Sequence, residues 1–159
     1  MAKKLAGLSN KQILKLVKDQ IIDYERYEAG QLKVIGLPPN LRKDSIVNEK
    51  FSFLEWLEHH RQYPAIKVEG LEDIKRLRSA FSSLHPKDIH MFVSQQTSYS
   101  FKWHTDDLNV FLYVMAGEKR VEIKNRVHVV RAGNGVFIPK GHLHRVLSKR
   151  DTWALSVGF

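Results

Sequence analysis

Residues 101–120 read FKWHTDDLNVFLYVMAGEKR. His104 and Asp106 are two apart, so on a β-strand their side chains share one face and Thr105 takes the other. An imidazole beside a carboxylate is a buried hydrogen-bonded pair, an exposed pair, or two arms of a metal site. The run NVFLYVMAG that follows reads as a strand, and Lys119 comes just past its closing Gly117.

The segments around this stretch have the same character. IHMFVSQQ, SYSFKWHTD, NVFLYVMAG, KRVEIKN, VHVVRAG, GVFIPKG, HRVLSK and TWALSVGF are short, rich in β-branched and aromatic residues, and separated by Gly, Asn and Lys breaks. Some eight strands at this spacing predict a sandwich or barrel over residues 89–159. The first half has a different period. In LSNKQILKLVKDQIIDYERYEAG, Ile13, Leu14, Leu16, Val17, Ile21, Tyr24 and Tyr27 recur at helical spacing, with Ser9 and Gln12 as a capping box and Gly30 as a stop. QLKVIGLPPN (31–40) carries a brief strand and a Pro-Pro turn. FSFLEWLEHHRQYP gives a second helix, with Ser52 and Glu55 at capping-box spacing and Pro64 as terminator. GLEDIKRLRSAFSSLHP gives a third, stopped near Pro86. The expected architecture is α+β in a single domain over 1–159: a mainly helical part, 1–88, packed on a β-barrel over 89–159.

Composition narrows the chemistry. A chain of 159 residues with 43% hydrophobic and 27% charged residues is that of a soluble globular protein with one core. It has no cysteine, which removes disulfides, thiolate metal ligands and a cysteine nucleophile. The basic start MAKKLAGLSNKQ lacks the apolar run of a signal peptide, and no segment approaches the roughly 20 apolar residues that span a bilayer, so a cytoplasmic protein without membrane partners is expected. The net charge of +9 favours anionic partners, RNA among them, but the bases are scattered from Lys3 to Arg150 and form no compact tract. The amphipathic helix over 9–29 packs on the barrel by ordinary helix logic, and it leaves a homodimer or a substrate contact open.

A second stretch completes a candidate site. GNGVFIPKGHLHRV (133–146) brings two histidines, His142 and His144, after a glycine- and proline-rich approach. Its spacing of Gly133, Pro139, Gly141 and His144 resembles the second characteristic stretch of cupin barrels, and that spacing selects His144 over His142. The first cupin stretch resembles residues 104–106 with the second histidine replaced by Asp106; the downstream glutamate position falls near Val110 and is missing. His104, Asp106 and His144 then offer two imidazoles and one carboxylate. On one face of a metal they leave about three positions open, as suits non-haem Fe(II), whereas structural zinc is closed by four ligands. Asp107 falls on the opposite parity and reads as a neighbour or surface residue. His59, His60, His85, His90 and His128 have no such company.

Lys119 sits on the inward parity of its strand with Val121 and Ile123, while Arg120 and Glu122 face outward. An enclosed ammonium needs a counter-charge, and no inward acid of these strands is left over. A bound carboxylate would supply it; an exposed hairpin lysine is the bland alternative. Taken together, HTDDLNVFLYVMAGEKR and GNGVFIPKGHLHRV resemble the core of the JmjC-type, cupin-like 2-oxoglutarate oxygenases, over roughly residues 90–159. The resemblance implies a double-stranded β-helix (cupin or jelly-roll) barrel, iron on His104, Asp106 and His144, and 2-oxoglutarate as co-substrate with Lys119 on its distal carboxylate. It further implies hydroxylation of an unactivated C–H bond, with succinate and CO2 released. Many 2-oxoglutarate oxygenases use an arginine about ten residues after the distal histidine; Ala154 stands there, which leaves the role to Lys119. Tyr99, Ser100, Ser94 and Thr97 are the hydroxyls considered as its helpers. Trp103, Phe101, Phe111 and Trp153 would exclude water or simply fill the core.

The chain departs from the family in its short spacing between His104 and His144 and in Gly158, where some relatives carry an asparagine near the iron. A protein or peptide side chain, an amino acid, or RNA remains open as substrate. Two other classes remain open too: a metal-dependent cupin enzyme that does not use 2-oxoglutarate, and a non-catalytic cupin that binds a small anion.

Overall fold

The structure is a computed structural model and describes residues 8–22, 32–35, 51–59, 61 and 63–159. The elements in order are α1 (Asn10–Lys18), β1 (Ile21–Ile22), β2 (Leu32–Ile35), β3 (Phe51–Ser52), α2 (Phe53–His59), β4 (Ala65–Val68), α3 (Lys75–Ala80), β5 (Asp88–Ser94), β6 (Ser98–Tyr99), β7 (Val110–Ala116), β8 (Glu118–Ile123), β9 (Arg126–Arg131), β10 (Gly135–Ile138), β11 (His144–Ser148) and β12 (Thr152–Gly158). Short 3₁₀ turns at Leu71–Asp73 and Ser82–Leu84 flank α3. The strands form a six-stranded sheet in the order β10-β7-β12-β5-β4-β2 and a four-stranded sheet in the order β6-β11-β8-β9, with β1 and β3 paired separately. Every pairing among the described residues is antiparallel. This is the expected cupin jelly roll.

The large sheet is covered on both faces, which is why β7 and β12 read as nearly unbroken apolar runs. Strand alternation splits each run in two. Val110, Leu112, Val114 and Ala154 face the small sheet and pack with Val121, Ile123, Val130 and Ile138 inside the barrel. Tyr113, Met115, Leu155 and Val157 face the other way, onto a core shared with Ile13 and Val17 of α1, Phe53 and Leu57 of α2, and Leu77 and Phe81. Tyr113 also donates its hydroxyl to the Asn10 side chain, and Asn10 donates to the Met115 carbonyl, so α1 is fastened to β7. The β7–β8 turn is tight at Gly117, where φ is +78° and a Cβ would lie 2.5 Å from Thr152 Oγ1.

The first half departs from its sequence pattern. Helix α1 begins at the expected capping box, with Gln12 N–H donating to Ser9 Oγ and Ser9 N–H to Gln12 Oε1, but it ends at Lys18. Beyond it, the Gln20 side-chain amide caps the Leu16 carbonyl. The Gln20 carbonyl accepts from Phe53 N–H, and the β-branched pair Ile21–Ile22 joins β3. Cross-strand bonding thus overrides the helical period; Gly30 and the Pro-Pro turn lie outside the described residues. The capping box at Ser52 and Glu55 forms as expected. The third helix is broken into α3 and its two 3₁₀ turns, and it closes at His85 with φ of +52° before Pro86. The helical half also contributes β2 and β4, which extend the large sheet beyond β5. No helix among the described residues is long and apolar enough to cross a membrane.

Candidate metal centre

His144 opens β11 in the small sheet. It pairs with Ile123 of β8, and only 2% of it is exposed. His104 and Asp106 do not lie on one strand as the parity reading expects. β6 stops at Tyr99, residues 100–103 bend, and β7 starts only at Val110. His104 is instead fixed by an isolated antiparallel bridge: its N–H donates to the His144 carbonyl at 3.0 Å, and His144 N–H donates to the His104 carbonyl at 2.9 Å. Asp106 is pinned by its own carbonyl, which accepts from Gly141 N–H. Asn109 continues the fastening, because its side chain accepts from Lys140 N–H while its backbone exchanges two hydrogen bonds with Phe159.

The three side chains meet as the sequence anticipates. One donor atom from each of His104, Asp106 and His144 falls within 4.8 Å of the others. Asp106 stands 3.3 Å from His144 Nε2 and 3.8 Å from His104 Nε2. His104 Nδ1 lies 2.8 Å from the Lys102 carbonyl and His144 Nδ1 lies 2.9 Å from the His142 carbonyl. A carbonyl can only accept, so each Nδ1 carries a proton, and each Nε2 is the ring atom turned to the shared space, where a bound metal would take its lone pair. The hydrogen bond from His144, with help from both imidazoles, holds the Asp106 carboxyl below the usual carboxylate range against the cost of burial. For His144, burial works against the proton, but the Asp106 bond and the His142 carbonyl outweigh it and raise its pKa. Two imidazoles and a carboxylate with open space beside them fit an octahedral metal better than a closed zinc site.

A cavity of about 430 Å³ opens from the triad into the barrel. Lys119 lines it, 2% exposed, and burial pulls its pKa down to about 7. Its ammonium donates to Ser148 Oγ at 2.7 Å and lies 5.6 Å from the centre of the Phe92 ring; among the described residues it has no carboxylate partner. Ser100 also lines the cavity, and its hydroxyl is buried without a partner. Apolar Phe92, Leu112, Ile138 and Val146 line its inner part, and Lys67, Asp88, His90 and Ser156 also contribute to its walls.

Several expectations change place. Tyr99 is not at the cavity: it pairs with Leu147, one residue off the Ser148 face, so its hydroxyl donates to Glu122 on the outer face. Thr97 accepts from Arg150 N–H, and Ser94 is fully buried without lining the cavity. His142 turns to a different groove. Asp107 lines the cavity beside the triad. Of the four aromatics considered, Phe101 alone lines the cavity, edge-on to His104 at 5.5 Å. Trp153 packs on Phe53, and Phe111 lies against Phe81, both on the helical side. Ser148 is the residue the sequence reading missed. It lies four beyond His144 on the same strand face, directly opposite Lys119, so strand parity and pairing would have found it. At the far end, a Cβ at Gly158 would collide with the Asp88 carboxylate and with Leu108.

On the outer face, behind the histidine bridge, Arg145 forms a clamp. Its guanidinium donates to Glu122 at 2.7 Å and lies over Tyr99 at 4.4 Å and Trp103 at 4.8 Å. Tyr99 and Trp103 flank the bent segment, so this stack presses the segment carrying His104 onto β11.

The family model for the AraC-like ligand binding domain matches residues 88–157. No curated protein matches the chain. Among solved structures, the Escherichia coli ribosomal oxygenase YcfD is similar at a TM-score of 0.53 and 20% identity, over 60% of this chain and 31% of that one. The same protein in complex with cobalt and 2-oxoglutarate is similar at a TM-score of 0.51 and 17% identity, with the same coverage of each chain. A cupin superfamily protein from Desulfitobacterium hafniense aligns at a TM-score of 0.43 and 11% identity, over 45% of this chain and 65% of that one. This chain therefore spans about a third of the ribosomal oxygenase, and what it shares with these structures is the fold.

Proposed function

We propose that the chain is an Fe(II)- and 2-oxoglutarate-dependent oxygenase, acting in the cytoplasm on an unactivated C–H bond of a protein, peptide or amino-acid-type substrate. The observation that carries this reading is Lys119: an ammonium buried without a carboxylate, in the same cavity as two imidazoles and a carboxylate that share a donor space. A buried cation without a counter-ion is costly, and the distal carboxylate of 2-oxoglutarate supplies one. The solved complex of the ribosomal oxygenase with cobalt and 2-oxoglutarate supports the same pairing of metal and co-substrate on this fold.

In this reading His104, Asp106 and His144 hold the metal through two Nε2 atoms and a carboxylate. Lys119 and Ser148 hold the distal carboxylate, Lys119 as a point charge and Ser148 as a hydroxyl donor. Ser100 offers a further hydroxyl to the same space. Phe92, Leu112, Ile138 and Val146 exclude water and strengthen these contacts. Iron held there would supply the activation of O2, one oxygen atom ending in succinate as 2-oxoglutarate loses CO2 and the other in the substrate's new hydroxyl.

The test is turnover of 2-oxoglutarate labelled at its 1-carboxylate, with Fe(II) and without added substrate. Slow release of labelled CO2 that depends on iron and is lost in Asp106→Ala supports the oxygenase. The match to a ligand-binding domain favours a second reading, a cupin that binds a small anion at Lys119 without oxidising it. That reading predicts no CO2 release, with carboxylate binding unaffected by removal of metal.

A further inference from the structure

A second groove, of about 560 Å³, lies outside the barrel cavity, between the β8–β9 turn and the loop that follows β10. Lys124, Asn125, Arg126, His128, Phe137 and His142 line it, and no carboxylate does. The barrel cavity, by contrast, has Asp88, Asp106 and Asp107 in its walls.

The distribution of ion pairs sets this groove apart from the rest of the small sheet's outer face. Elsewhere on the outer face of the small sheet the bases are matched: Arg120 and Arg145 to Glu122, Arg131 and Lys149 to Glu118. Among the described residues, Lys124 and Arg126 make no ion pair. The groove wall is held in place, because Lys124 N–H donates to the Leu143 carbonyl, one residue before His144. Phe137 is 49% exposed, an unusual position for a phenylalanine on a strand, and its ring rests against Phe159 at 5.9 Å. Unmatched bases attract phosphates, and an exposed ring beside them offers a face on which a base can stack. A stacked duplex hides the faces of its bases, whereas a single strand presents them.

We propose that this groove binds single-stranded nucleic acid, with Lys124 and Arg126 on successive phosphates and Phe137 stacked on a base. The site is independent of the metal and of 2-oxoglutarate. It adjoins the metal centre through the loop that carries Pro139 and His142, so a bound strand lies beside the barrel mouth.

The experiment is fluorescence anisotropy of labelled 12-nucleotide oligouridylate and oligoadenylate with the full chain, stripped of metal by chelator, across a salt series. Wild type is expected to bind both strands and to prefer them to a duplex of the same length. In the double variant Lys124→Ala/Arg126→Ala the slope of log affinity against log salt should fall by about 1.4, at about 0.7 per phosphate contact on a single strand. Phe137→Ala should weaken binding about tenfold, and Phe137→Trp should restore it. Arg120→Ala/Lys149→Ala removes the same charge from the paired side and should leave affinity unchanged. Equal losses in the two double variants would assign binding to net charge and overturn the site. So would duplex binding as tight as single-strand binding, no effect of Phe137→Ala, or no binding at all.

Discussion

The candidate metal centre is built from two unlike arms. His144, Lys119 and Ser148 stand on β8 and β11, inside a continuous hydrogen-bonded ladder whose register dictates which side chains face the cavity. His104, Asp106 and Ser100 stand on a bent segment that has almost no ladder of its own. That segment is held by the single bridge to His144, by the contacts of Asp106 and Asn109 with the 139–141 loop, and by the Arg145 stack outside. The regular arm is placed by the sheet; the irregular arm is placed by cross-links to it. The difference teaches that the site's precision on one side depends on residues that touch no ligand.

The largest effect treats both arms alike. His144→Ala and His104→Ala should each abolish tight Co(II) or Fe(II) binding, measured by calorimetric titration, since two remaining donors do not hold a labile divalent ion. Retained affinity in His104→Ala would remove the irregular arm from the site.

The next variant isolates the regular arm. Lys119→Ala should weaken 2-oxoglutarate binding at least about thirtyfold, the loss expected when one partner of a buried charge pair is truncated, with metal affinity unchanged. Lys119→Met carries an effect of opposite sign on the ligand-free protein. The folded pKa of Lys119 lies near 7, below that of an unfolded lysine, so the unfolded chain binds more protons between about pH 7 and 10.4. The burial cost is therefore fully present below pH 7 and is relieved as pH rises through that window. Thermal melts of Lys119→Met should exceed wild type at pH 6, and the gap should narrow towards pH 10.

Arg145 tests the irregular arm alone. Arg145→Ala should lower metal affinity about tenfold through loss of His104 placement, with Arg145→Lys only partly restoring it, because lysine keeps the charge toward Glu122 but not the planar stack. The one-residue readout is the His104 ring resonance by NMR, which should broaden while that of His144 does not.

The smallest effect is on pH. A carboxylate bound at Lys119 favours the charged ammonium, so 2-oxoglutarate binding should take up a proton and weaken by a few-fold as pH rises from about 7 to 8. Calorimetry in buffers of different ionisation heat measures that proton directly.

The contrast between the arms also explains what could be read from the sequence. The jelly roll was legible in the run of short β-branched segments, because a strand's period shows itself in its own residues. Lys119 was legible for the same reason: its parity with Val121 and Ile123 is local, and the structure buries all three. The triad was found although the local geometry assigned to it was wrong. His104 and Asp106 converge through a bend and a bridge to His144, forty positions away in the chain, and no local pattern encodes that. Tyr99 faces outward because its register opposite Leu147 sets its face, and Ser148 was missed because its role arises only from pairing with Lys119. Helix α1 was drawn too long because the competing partner of Ile21–Ile22, at Phe51–Ser52, is distant in sequence. β4 was not read as a strand at all, although its burial follows from lying between β2 and β5.

The most direct measurement is an anaerobic titration of the Fe(II)-loaded protein with 2-oxoglutarate, following the visible metal-to-ligand charge-transfer band that forms when the keto acid chelates iron. The account predicts a saturable band in wild type, no band in His104→Ala, and a band in Lys119→Ala that needs far more 2-oxoglutarate to saturate. An iron-loaded wild-type protein that develops no band at any 2-oxoglutarate concentration would contradict it.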